Sequence, residues 1–359
     1  MSTLKNIKVA YCTGFWCTNI GNSFFSLGVE HVLKKILGET NVTIVSDNQS
    51  YTNSIGKRYY KHPKQLEYIS NLDVDYVVLA GPVISKYFLK MWKDTIVELY
   101  KKNKKIILLS TGIMKLDDKS KNEILSFFNE YTPYIMVSRD RKTYELLKDY
   151  AENSYDGICF SMFVNDYYNP CKINTNSYMT LNFDKMKEPI IKLSESNSTY
   201  NKTFVFNNKK YEIVHSKLFN KITSKTDRFT DALIYMLSIF PSKKINSKIG
   251  IYDVVRTDHR FHPHYRSKIY KQLNSFCADL PYGYLNIYAN SELTISDRVH
   301  ACAVAMAFGN SAFLLSKTNR SGLLERVGAD SIYDKPTKLD LKYVSNEKQK
   351  MIDWLKERF

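Results

Sequence analysis

Residues 293–309 read Leu-Thr-Ile-Ser-Asp-Arg-Val-His-Ala-Cys-Ala-Val-Ala-Met-Ala-Phe-Gly. Leu293-Thr294-Ile295 is short, apolar and β-branched, as the end of a buried strand would be. From Ala301 onward the residues are small, apolar and uncharged, which suits a helix packed on all sides. Ser296 or Asp297 is the natural N-cap between the two. A strand running straight into a buried helix is a βα unit of a parallel sheet. The same reading places Arg298 and His300 in the first helical turn, where backbone N–H groups lack helical partners and the dipole favours anions. A fixed cation, a titratable imidazole and a helix N-terminus together point to an anionic substrate and a proton transfer.

Working outward, the first half of the chain alternates strand and helix. Strand-like runs stand at 7–13, 42–46, 75–81, 105–111 and 134–140, and helical periodicity at 21–37, 86–102, 119–131 and 141–151. Short continuous apolar strands between amphipathic helices imply a parallel sheet covered on both faces. Ligands of such sheets bind past the carboxyl ends of the strands, here Gly14–Asn22, Gly81–Ser85, Thr111–Met114 and Ser138–Asp140. The middle is less regular, with "YMTLNF" at 178–183 and a hairpin around Asn207-Asn208-Lys209. Periodic α/β character returns from about residue 228, through "KIGIYDVVRTD" to "SGLLERVG". The expected fold is therefore α/β, with two Rossmann-like domains facing a cleft. The first spans residues 1–165 and the second 175–345, with a hinge in 160–178 and an amphipathic C-terminal helix at 346–359.

The chain has 359 residues, is 44% hydrophobic and carries a formal net charge of +16. That length suits two domains with sizeable cores. No signal-peptide pattern opens the chain and no apolar run reaches the roughly 20 residues that span a bilayer, so a soluble, cytoplasmic protein is expected. The positive charge fits acidic small molecules or peripheral contact with an anionic membrane surface, such as the inner membrane face. Much of it is solvated surface lysine, as in "KKNKK" at 101–105. No zinc-finger, RNP-type or helix-turn-helix signature accompanies it, so nucleic acid is not an expected partner. Six cysteines (Cys12, Cys17, Cys159, Cys171, Cys277, Cys302) form no zinc-type spacing and read as reduced thiols.

In order along the chain come "GFWCTNIGN", "VSRDRKTYELL", "YMTLNFDKMKEP", "VVRTDHRFHP", "YLNIYANSELTISDRVHACAVAMAFG" and "KTNRSGLLERVG". With Arg298-Val299-His300 as an Arg-hydrophobic-His signature, this series resembles the polysaccharide pyruvyl transferase family. Asn22 stands where many relatives carry aspartate. The resemblance implies a GT-B-like fold, the first domain on the acceptor side and the second on the donor side. It also implies transfer of the pyruvyl group of phosphoenolpyruvate onto two hydroxyls of a sugar, in a cell-surface polysaccharide or its lipid-linked precursor, giving a cyclic ketal. Phosphoenolpyruvate is then a co-substrate, and neither a cofactor nor a metal is called for.

Against that donor each candidate has two readings. Arg298 offers a bidentate fork to carboxylate or phosphate, or else forms a salt bridge with a neighbouring carboxylate. His300 can protonate the donor methylene, deprotonate the acceptor hydroxyl, or sit buried with one hydrogen bond. Val299 between them counts with the donor site. Residues 254–264 bring Arg256 and Arg260 as further donor ligands and Asp258 or His259 as a second proton-transfer group. His259, His262 and His264 as metal ligands is the rival there, disfavoured because Pro263 splits the spacing, and a solvated loop is the plain reading. Asn19, Gly21 and Asn22 either bind acceptor hydroxyls or fix the turn, and Arg139 binds the acceptor or pairs with Asp140. The loop lacks GxGxxG and a Walker lysine, so it is not a nucleotide P-loop. A nucleotide-sugar glycosyltransferase of the same architecture, and a non-catalytic binder of anionic glycans, are the competing functions.

Overall fold

The computed structural model describes residues 7–13, 16, 19–46, 65–114, 116–184, 186, 188–194, 202–214, 246–259, 273–318 and 320–359. Cys17, Arg260, His262, His264 and the helical pattern near 228–240 lie outside them.

The apolar runs of the first half become six parallel strands: β1 (Val9–Thr13), β2 (Val42–Ser46), β3 (Tyr76–Ala80), β4 (Lys105–Thr111), β5 (Ile135–Ser138) and β6 (Asn153–Asp156). Their order is β2-β1-β3-β4-β5-β6. Alternate residues of each strand serve opposite faces. Ala10, Val77, Leu79, Ile106, Leu108 and Met136 pack under helices that bring Phe88, Trp92, Ile96, Phe127 and Phe128. Val9, Tyr11, Val78, Ile107 and Leu109 pack on the other face against helix α1 (Gly21–Leu37). Strand β6 was not apparent from the sequence, because "NSYD" is a polar, half-buried edge strand with no apolar run. Near its end β4 breaks register between Leu108 and Thr111, and Ser110 there takes a left-handed φ of 51°.

The second half forms β7 (Tyr178–Asn182), β8 (Ile190–Leu193), β9 (Lys202–Phe206), β10 (Lys209–Val214), β11 (Lys248–Ile249), β12 (Tyr252–Thr257), β13 (Ser275–Phe276), β14 (Leu293–Ser296) and β15 (Ser311–Leu314). The main sheet runs β11-β12-β7-β14-β15, with β13 paired to β12, and only β11 is antiparallel. Strands β8, β10 and β9 make a separate antiparallel sheet, its hairpin turning at Asn207 and Asn208, both with positive φ. Such a turn needs two left-handed residues, which asparagine tolerates.

Chain order reverses at β7: β12 lies on one side of it, β14 and β15 on the other. That topological switch point, at the strands' carboxyl ends, is where ligands of such sheets sit. Helix α2 (Val299–Ala307) leaves β14 at this point and is buried along its whole length. A single apolar core runs from the first sheet through α1 and residues 158–164 into α2 and β15. The last helix, α3, spans Leu341–Lys356, starting five residues earlier than expected because Asp340 caps the N–H groups of Lys342 and Tyr343. It packs back on the first sheet: Tyr134 donates to the Arg358 carbonyl at 2.6 Å and Tyr155 meets Trp354. No helix among the described residues is long and apolar enough to cross a membrane.

Candidate active site

The start of α2 differs from expectation by one instructive step. The N-cap is Arg298, in extended backbone (φ −115°, ψ 122°), and the helix begins at Val299. Ser296 Oγ accepts the Arg298 N–H at 2.8 Å, so that N–H is not available to a ligand. Asp297 does not cap the helix. Its carboxylate accepts the backbone N–H groups of Asp184 and Met186 at 3.3 and 2.6 Å, tying the turn after β7 to β14. That turn delivers Asp184, whose carboxylate accepts Nε of Arg298 in a buried ion pair. The Nη groups of Arg298 have no hydrogen-bond partner among the described residues.

His300 enters the second helical position, buried, with its ring against Phe25 of α1 and Nε2 3.9 Å from Cys159 Sγ. Burial holds its pKa well below the usual imidazole value, and the charges of Arg139, Arg320, His259 and Arg298 push it further down. Three guanidiniums thus converge on one neutral imidazole.

Arg139 follows β5, capping no helix itself; Asp140 is the cap of the next one, bonding Thr143 at 2.9 and 3.0 Å. Asp140 therefore stands 4.0 Å from Arg139 Nε, outside hydrogen-bond reach. The Arg139 side chain is 1% exposed, and Nε and Nη1 have no hydrogen-bond partner. It lies on Gly112, where a Cβ would stand 2.4 Å from Nε and 2.7 Å from Cζ. Glycine is present here for space and not for backbone freedom. Thr111 Oγ1 beside it is likewise buried and unpartnered. Arg320, in the loop after β15, meets the Met114 sulfur with Nη2 at 2.8 Å and has no carboxylate within hydrogen-bond reach among the described residues. Burial, with Arg139 and Arg298 nearby, lowers its pKa to about 10. Buried polar groups are almost always paired. Of the three arginines only Arg298 has a carboxylate hydrogen-bonded to it, which leaves a net positive charge where the two sheets' carboxyl ends meet.

The remaining expected residues divide. Arg256 gives Nε and Nη2 to Glu188 at 2.8–3.1 Å, an ion pair that fills that edge of its fork. His259 is buried, bonded through Nε2 to the Tyr288 hydroxyl at 2.6 Å, and burial lowers its pKa to about 3. Asp258 is buried, and its carbonyl accepts the Tyr284 hydroxyl. Val299 joins the core. Asn19, Gly21 and Asn22 bond one another, and the Ile20 N–H donates to the His259 carbonyl at 2.7 Å. A Cβ on Gly21 would lie 2.7 Å from His259 Nδ1, so this segment closes the seam between domains. Arg139, expected on the acceptor side, neighbours His300. Asp184, Arg320 and Cys159 were not singled out; "FDKMKEP" and "KTNRSG" carry the first two, but only the three-dimensional pairing marks them. Among the described residues no three His, Cys, Asp or Glu side chains gather as a metal-holding group.

Comparison with solved structures places this architecture among GT-B-like proteins. MnaA of S. aureus, in complex with UDP, superposes with a TM-score of 0.50 at 12% identity, covering 97% of this chain and 88% of that one. The UDP-GlcNAc 2-epimerase of Neisseria meningitidis, bound to UDP-GlcNAc, gives 0.49 at 9% identity, covering 97% and 99%. Such identities speak for the fold alone. No curated protein matches the chain. The polysaccharide pyruvyl transferase model matches residues 19–316, which run from α1 to β15, take in every strand of the two main sheets except β1, and hold every arginine of the cluster except Arg320. The chain belongs to the polysaccharide pyruvyl transferase family.

Proposed function

We propose that the protein transfers the pyruvyl group of phosphoenolpyruvate onto two hydroxyls of a sugar, in a cell-surface polysaccharide or its lipid-linked precursor. The observation that carries this is Arg139, buried with two unpartnered nitrogens beside Arg320, Arg298 and His300. A small dianion with a carboxylate and a phosphate is what such a cluster is built to neutralise.

Arg139 and Arg320 hold the donor anion together with the Nη edge of Arg298, which Asp184 orients through Nε. Protonation of the donor methylene makes C2 oxocarbenium-like. The first sugar hydroxyl adds and loses its proton, phosphate leaves with the C2–O electron pair, and the second hydroxyl closes the ketal. Fixed guanidiniums act most strongly as charge gathers on the departing phosphate. His300 is the proton-transfer group nearest the cluster, with His259 and Asp258 behind it at the seam.

The test pairs isothermal titration with turnover. Phosphoenolpyruvate should bind, UDP-sugars should not bind more tightly, and phosphate release should require a sugar acceptor from a panel. His300→Asn should retain donor binding and lose about 10²–10⁴-fold in turnover. Tight UDP-sugar binding without phosphoenolpyruvate binding would favour a glycosyltransferase. Donor binding without turnover on any acceptor would favour a glycan-binding role.

A further inference from the structure

We propose that Cys159 is a positioning residue that fixes the tautomer of His300, holding Nε2 as an acceptor so that the ring's one proton lies on Nδ1. Cys159 is fully buried, one residue before the 3-10 turn at 160–163 that packs on α1. Its sulfur is surrounded on three sides. Ser161 Oγ donates to Sγ at 3.2 Å, Ser110 Oγ lies 3.6 Å away, and His300 Nε2 lies 3.9 Å away. Ser110 Oγ also accepts the Phe160 N–H at 3.2 Å, so its own hydrogen is free to point at sulfur. With Ser161 donating to Sγ and Ser110 assigned to point its hydrogen there as well, the thiol hydrogen is assigned to His300 Nε2. A thiol is a weak donor, but between two buried side chains it is enough to choose between two otherwise similar tautomers.

A second observation supports a built arrangement. Ser110 is a non-glycine residue at φ 51°, inside the first sheet and fully buried. That backbone state is strained and survives only where surroundings enforce it. Here it places Oγ onto Cys159 and the Phe160 N–H.

The tautomer decides something about chemistry. A neutral His300 with Nε2 occupied by a thiol offers a donor at Nδ1 and has no lone pair there to take a hydroxyl's proton. Nδ1–H then acts as a hydrogen-bond donor to the bound anion, and His300 is not the base. This last step rests on the transferase reading; the tautomer itself does not.

The experiment is a two-bond proton–nitrogen correlation spectrum of ¹⁵N-histidine-labelled protein at neutral pH, with His300→Gln identifying the signal. Expected is a protonated Nδ1 and a bare Nε2 in the wild type. Cys159→Ala should shift the population toward Nε2–H, and Cys159→Ser, which keeps a donor, should hold Nδ1–H. In turnover with phosphoenolpyruvate and an acceptor, Cys159→Ala should lower kcat about tenfold with KM for the donor little changed, and Cys159→Ser should recover it. A wild-type Nε2–H tautomer, or an alanine variant with an unchanged spectrum, would overturn the proposal. If the wild type shows the Nδ1–H tautomer but never turns over phosphoenolpyruvate, the donor role falls with the transferase reading and the tautomer stands.

Discussion

Replacing Arg139 by methionine should make the ligand-free protein more stable and sharply reduce how much phosphoenolpyruvate stabilises it. The side chain is 1% exposed and two of its nitrogens are unpartnered. Breaking a buried pair so that one charge is left alone ordinarily costs roughly 3–5 kcal/mol. Arg139 is close to that state without any mutation: its nearest carboxylate, Asp140, stands 4.0 Å away and is not hydrogen-bonded to it. Methionine keeps the length of the stem, fills the space over Gly112 and carries no charge. A gain of about 1–3 kcal/mol is expected in the absence of anion, or roughly 1–4 °C in a chain of this size. With phosphoenolpyruvate that advantage should shrink by about 1.3–2.4 kcal/mol. A wild type at 100 times its Kd is stabilised by about 2.7 kcal/mol. Losing a charge-assisted contact of about 1.5–3 kcal/mol weakens binding about 10- to 150-fold. At the same ligand concentration the variant then retains only about 1.4 to 0.3 kcal/mol of that stabilisation. Thermal unfolding of both proteins, with and without phosphoenolpyruvate, measures all four states. A variant that melts lower without ligand and is stabilised as fully by phosphoenolpyruvate as the wild type would show that Arg139 is a structural cation, and the anion site would have to be sought elsewhere.

Gly112→Ala should spare the fold and damage the site: its new Cβ, 2.4 Å from Arg139 Nε, displaces the guanidinium, so donor affinity measured by titration should fall about tenfold or more. An unchanged affinity would mean that the guanidinium's position on Gly112 is immaterial. His259 predicts an acid sensitivity. Its folded pKa, lowered to about 3 by burial, lies below the ordinary imidazole value, so its contribution is complete above about pH 6.5 and is lost as pH falls toward 3. The unfolded chain takes up the proton first, which removes about 2 kcal/mol by pH 5. His259→Gln should show a loss smaller by that amount in urea titrations at pH 7 and pH 5; an equal loss would place the acid-sensitive group elsewhere.

The strands of the first sheet could be read directly because a sheet covered on both faces requires continuous apolar runs, and "YVVLA" and "KIILLST" supply them. Strand β6 could not, since an edge strand needs no such run. At the site, the strand-to-helix step after Ile295 was legible, but its cap was not. Serine at 296 bonds the Arg298 N–H and aspartate at 297 reaches back to residues 184 and 186, both outside the helix. Nothing local distinguishes these uses from capping, because the competing partner is 113 residues away for Asp184. Arg298 showed in the sequence as a cation at a strand end, while its counter-ion arrives only when β7 and β14 become neighbours. Arg139 was likewise placed at a strand end, but which side of the cleft it serves depends on how the domains pack. Arg320 has no local mark at all: its importance lies in lacking a carboxylate, which is a property of three dimensions.

The cluster also explains why net charge was a poor guide to the site. Exposed lysines are screened within about 10 Å at moderate salt, so most of the +16 acts weakly and at no particular place. Three guanidiniums around a buried imidazole act through a far less polarisable medium. They repel one another, and they come from both domains: Arg139 from the end of β5, Arg298 and Arg320 from the ends of β14 and β15. What opposes that repulsion is the apolar core that passes unbroken from the first sheet through α1 and residues 158–164 into α2. Hydrophobic burial does not depend on a counter-ion, so it can hold like charges together before any ligand arrives. An anion entering such a site meets dipoles and charges already in place and need not reorganise them, which is the condition under which electrostatics lowers a barrier most. The same core therefore does two tasks, joining the domains and keeping the site's charges assembled.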